Sequence, residues 1–136
     1  MQVSTNRQAI NTYGREATSS EVNYASPHRL IQMLMEGALG KIAFAKGNIE
    51  RNELEAKGKN ISWASSIIDG LRDSLDLEKG GEIAQNLDDL YDYMGRRLIE
   101  ANSKNDGAIL DEVTALLVEV KSGWDAIPES YRDSGK

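Results

Sequence analysis

Residues 26–49 read SPHRLIQMLMEGALGKIAFAKGNI, and within them Ile31, Met35, Ala38, Ile42, Ala45 and Ile49 recur at alternating steps of four and three. That spacing lays one apolar stripe along an α-helix, which turns once every 3.6 residues. Leu30 and Leu34 widen the stripe. Ser26 is a good N-cap, and Pro27 suits the first helical position, where its missing N–H loses no bond. Arg51-Asn52 marks the end, with a cation near the negative pole of the helix dipole.

The same alternation continues outward from this stretch. A second helix is expected from about Glu53 to Leu75, on Ile61, Ala64, Ile68, Leu71 and Leu75, with Trp63 and Ile67 beside them. Asp76-Leu77-Glu78-Lys79-Gly80-Gly81 reads as a turn. A third helix, from about Glu82 to Ser103, carries two overlapping stripes: Ile83, Leu87, Leu90 and Met94, and Ala84, Leu87, Tyr91, Met94 and Leu98. Residues 102–107 break the pattern, and Asn105 or Asp106 caps a fourth helix. Its stripe is Ile109, Val113, Leu116, Val120 and Ile127, broadened by Leu110, Leu117 and Trp124. The only two prolines, Pro27 and Pro128, bracket all of this and leave its interior free of helix breakers.

Four helices joined by short connections imply an all-α fold, an antiparallel up-down four-helix bundle. The bundle spans residues 26–128. Residues 1–25 form an N-terminal arm with too few apolar positions for a core element, though enough for a short extra helix. Residues 129–136 are a polar, flexible tail.

Composition removes several function classes. The 136 residues suffice for one core. The net charge of −6 repels phosphate backbones, and the basic residues form no tract, so nucleic acid is not an expected partner. There is no cysteine, which excludes disulfides, thiolate metal sites and thiol catalysis. Met1–Arg7 lacks the apolar core of a signal peptide, and no apolar run reaches the roughly 20 residues needed to cross a bilayer. A cytoplasmic protein without membrane insertion is expected.

No residue pattern demands catalysis, a cofactor or a metal. Asp88, Asp89 and Asp92 cluster, but a di-iron bundle needs two Glu-x-x-His pairs, and His28 is the only histidine. These carboxylates read as a solvated acidic face. A single histidine in a helical bundle raises an alternative function, a phosphotransfer signalling bundle centred on His28. The position of His28, in the first turn directly after Pro27, fits an ordinary helix-start residue better. What remains is apolar surface in excess of the three-in-seven face a bundle helix needs. It either enlarges the core, takes an amphipathic helix from a partner, or forms a homodimer seam in the free protein.

Several runs carry a resemblance. They are Ala25-Ser26-Pro27-His28-Arg29-Leu30-Ile31, Met33-Leu34-Met35-Glu36-Gly37-Ala38-Leu39, Glu55-Ala56-Lys57-Gly58 and Ile67-Ile68. The longest is Ser74-Leu75-Asp76-Leu77-Glu78-Lys79-Gly80-Gly81-Glu82-Ile83-Ala84-Gln85-Asn86-Leu87. It is followed by Leu90-Tyr91-Asp92-Tyr93-Met94, Arg96-Arg97-Leu98, Glu100-Ala101-Asn102 and Asn105-Asp106. In this order and spacing the chain resembles the FliS family of flagellin-specific export chaperones over nearly its whole length.

The resemblance implies a cytoplasmic, ATP-independent chaperone. Its client is the C-terminal region of flagellin, whose premature polymerisation it prevents, and it delivers that client to the export gate of the flagellar type III secretion system. The expected client groove is Ile67, Ile68, Leu71, Leu87, Leu90, Tyr91, Met94 and Leu98. In free family members the arm covers part of the groove, a role that falls here on Ile10 and Tyr13.

Overall fold

The structure, a computed structural model, describes residues 25–132. Its elements are α1 (Pro27–Glu50), α2 (Leu54–Asp73), α3 (Leu77–Lys104), α4 (Gly107–Asp125) and a single turn, α5 (Glu129–Arg132), inside the segment expected to be a flexible tail. Among the described residues there is no strand, and the expected all-α four-helix bundle is observed.

Side chains set the helix starts. The Ser26 hydroxyl accepts the Arg29 N–H at 3.1 Å, the Asp76 carboxylate accepts that of Lys79 at 3.0 Å, and Asp106 accepts that of Ala108 at 2.9 Å. Each satisfies a donor that has no intrahelical acceptor. Two asparagines make the stops. Asn52 and Asn105 take left-handed backbones at φ 57° and 53°. The next residues, Glu53 and Asp106, then donate their N–H back to Asn48 and Ala101 at 2.7 and 3.1 Å. This is the hydrogen-bond pattern of a helix closed by a left-handed residue, a position asparagine tolerates best after glycine.

The start of α3 differs from the expected turn over residues 76–81. Leu77–Gly80 is already helical, and only Gly81 departs, at φ 55° and ψ −132°. That conformation is open to glycine and costly for any residue with a Cβ. The long part of α3 therefore begins at Glu82, as the periodicity indicates, with one extra helical turn hinged in front of it.

Each helix packs against its neighbours in sequence, and α4 closes the ring against α1. Polar pairs across three of these four seams are consistent with the antiparallel sense. Lys46, late in α1, pairs with Asp111, early in α4, and Gln32, early in α1, donates to Asp125, late in α4. Lys57, early in α2, reaches Asn102 at the end of α3, while Arg72, late in α2, holds Asp88 near its start. Arg97 and Tyr93 of α3 both engage Glu112 of α4.

The stripes meet inside as one core. Leu34, Met35, Ile42, Ile68, Leu71, Met94, Leu98, Leu110, Val113 and Leu117 are sealed from solvent. Burying such a side chain contributes roughly 1.5–3 kcal/mol. No helix among the described residues is long and apolar enough to cross a membrane.

Candidate functional site

At one end of the bundle the described residues leave the core open. A cavity of about 900 Å³ lies where the starts of α1 and α3 meet the ends of α2 and α4. Pro27, His28, Leu30, Ile31 and Met35 of α1 form one wall, and Val120, Gly123 and Trp124 of α4, with Ile127 beyond it, form the next. Ser74, Leu75 and Asp76 between α2 and α3, then Gly80, Ile83, Ala84, Leu87 and Tyr91 of α3, complete it. The lining is dominated by large apolar side chains. Ile83 stands at the rim with 75% of its surface exposed, an arrangement a folded core would not leave uncovered.

Local structure explains the opening. The kink at Gly81 turns the Leu77–Gly80 turn aside from the axis of α3, so that Gly80 and Ile83 edge the cavity and do not close it. A Cβ on Gly80 would lie 2.5 Å from that of Ala84, so this turn has room only for glycine. On the opposite wall, the His28 and Trp124 rings stack at 4.7 Å and 9°, and the Trp124 indole N–H donates to the His28 carbonyl at 3.0 Å. These contacts tie the first turn of α1 to the last turn of α4. Tyr91 reaches in from α3, and its burial pushes the phenol up to about 12.

The structure distributes the expected groove residues unevenly. Ile67, Ile68, Leu71, Tyr91, Met94 and Leu98 are 0–4% exposed and belong to the core, whereas Leu87 and Leu90 are half-buried against it. Of the eight, Leu87 and Tyr91 line the cavity. The width of the α3 stripes serves two neighbours at once, because α3 packs on both α2 and α4. The expected arm residues Ile10 and Tyr13 lie outside the described residues.

Sequence reasoning missed the α1, α4 and loop contributions: Leu30, Ile31, Leu75, Ile83, Val120, Trp124 and Ile127. Their signal was present as apolar residues continuing each stripe to the same end of the bundle. A one-helix pattern does not show that these ends converge.

The alternative centred on His28 loses its geometry. The imidazole is 4% exposed and lies flat against Trp124, whereas a phosphotransfer histidine must present its ring nitrogen to a donor. Nor is the Asp88–Asp92 pair a merely solvated face. Arg72 donates through Nε to Asp88 at 2.7 Å and through Nη1 to Asp92 at 3.1 Å. This guanidinium holds the Asp88 carboxyl below its usual range. Among the described residues no group of three potential ligands could hold a metal ion.

Comparison with known proteins gives consistent results. A family model described as "Flagellar protein FliS" matches residues 9–131. The flagellar secretion chaperone FliSB of Pseudomonas aeruginosa is 53% identical over 120 residues, covering 88% of this chain and 95% of that protein. The flagellar secretion chaperone FliS of Salmonella typhimurium is 46% identical over 119 residues, 87% of this chain and 88% of its own. That of Vibrio cholerae is 39% identical over 127 residues, with 93% of each covered.

Proposed function

The chain belongs to the FliS family, and from that premise we propose that it is a cytoplasmic, ATP-independent flagellar secretion chaperone whose client is the C-terminal region of flagellin. The single observation that supports a holding role is the open apolar cavity. A closed bundle has no use for Leu30, Leu75, Ile83 and Ile127 at a common solvent-facing mouth. An amphipathic client segment does, because it buries its apolar face there in place of pairing with another copy of itself.

The mechanism is mass action. Occupying the client's apolar face lowers the free concentration of the form that polymerises. The entropy of ordering the client offsets part of the contact energy, so the complex stays reversible and the client is released at the export gate. No step requires nucleotide, metal or bond chemistry, and the protein acts as a binding protein and not as an enzyme. In the free protein the arm, through Ile10 and Tyr13, competes for part of the same surface.

Co-expression with flagellin tests this reading. Flagellin should co-purify with the chain, and flagellin truncated of its C-terminal segment should not. Equal recovery of both would overturn it.

A further inference from the structure

The cavity has a charge signature as well as an apolar one. Among the described residues its ionisable lining groups are Asp76, Glu119, His28 and the Tyr91 phenol, and no lysine or arginine is among them. Asp76 and Glu119 are both exposed and line the cavity, one at the start of α3 and one on α4. Of the acidic residues nearby, Asp125 pairs with Lys121 and Gln32, and Asp88 with Arg72. Asp76 also receives the Lys79 N–H at Oδ1, a bond that does not use its second carboxylate oxygen as acceptor.

We propose that the cavity selects an apolar helical segment carrying lysine or arginine at the margin of its apolar face, with Asp76 and Glu119 as the carboxylates that receive it. The inference rests on the client-holding reading of the same cavity and adds its chemical selectivity. Apolar contact alone discriminates poorly among amphipathic helices, because their apolar faces are much alike. Two carboxylates on different elements of the cavity lining favour a cationic flank and penalise an acidic one, and they bias which way the segment faces. Such rim pairs are screened by salt, while the apolar contact is not. Selectivity therefore fades at high ionic strength and residual binding persists.

The test uses the full chain and calorimetry with three probes: flagellin, a synthetic amphipathic helix with arginine at both margins of its apolar face, and the same peptide with glutamine there. The wild type should bind the arginine peptide at least about threefold tighter at low salt, the scale of exposed ion pairs. The Asp76→Asn/Glu119→Gln variant should bring that ratio to about one. Asparagine remains an N-cap, so the start of α3 is kept. Equal affinity of the wild type for both peptides, a ratio unchanged in the variant, or failure of either peptide to bind while flagellin binds would overturn the inference alone. Failure of flagellin itself to bind would overturn the holding reading and this inference with it.

Discussion

Trp124 and His28 are locked together twice, by ring stacking at 4.7 Å and by an indole N–H bond to the His28 carbonyl at 3.0 Å. The pair joins two helix ends that are 96 residues apart in sequence. Trp124→Phe keeps a stacked ring and removes the donor. The carbonyl retains its intrahelical acceptor role, so no buried group is orphaned, and the expected loss is about 1 kcal/mol in urea unfolding. Trp124→Ala also removes the ring that walls the cavity and should cost several-fold more.

The mouth of the cavity separates binding from stability. Ile83 is 75% exposed, so Ile83→Asp should melt like the wild type and bind flagellin more weakly, measured by calorimetry. Met94 is fully buried, and Met94→Ala should lose about 2–5 kcal/mol of stability. Unchanged client affinity in Ile83→Asp would remove that rim from the site.

Gly81 sits at φ 55° and ψ −132°. Gly81→Ala imposes a Cβ on that conformation, at a cost of about 1–3 kcal/mol. The relief available is to straighten the turn before α3, which would reshape the lip formed by Gly80 and Ile83. Weaker client binding should therefore accompany the lowered unfolding midpoint.

Lys57 is 7% exposed and points its ammonium at the end of α3, donating to the Asn102 carbonyl at 2.8 Å and to the Asn105 side chain. It satisfies a terminal carbonyl that the helix itself leaves open. Lys57→Met keeps the stem and removes the donor, and should destabilise by about 1.5–3 kcal/mol, the scale of a charge-assisted bond. The amide protons of residues 101–105 should exchange faster.

Acid should weaken the fold through its carboxylates. Hydrogen bonds from Arg72, from Tyr93 and Arg97, and from Lys121 hold Asp88, Glu112 and Asp125 below their ordinary values of 3.8, 4.5 and 3.8. Because the folded values are the lower ones, the unfolded chain takes up protons first as the pH falls. The stabilisation is present above 4.5, begins to be lost there, and goes on falling below 3.8 as the folded groups protonate. Urea midpoints measured across this window should drop with pH, and less steeply in Arg72→Met.

Much of the fold was legible residue by residue. The alternating stripe through Ile31, Met35, Ala38 and Ile42 placed α1, Ser26 and Pro27 placed its start, and the choice between Asn105 and Asp106 bracketed that of α4, because caps and periodicity are local properties of the chain. The helical turn at Leu77–Gly80 was not legible, since its Gly-Gly ending reads equally well as a plain turn. The cavity was still less so. The wide apolar faces of α2 and α3 pointed to Ile67, Ile68, Met94 and Leu98, which the bundle consumes as core.

By itself the sequence determined four helices, their order, their antiparallel sense and the absence of thiol chemistry, all of which follow from short-range spacing and composition. Only the tertiary structure decided which apolar residues remain available. Burial depends on what the other three helices place opposite a given stripe, and at one end of this bundle Leu30, Ile83 and Ile127 line a cavity between the helices.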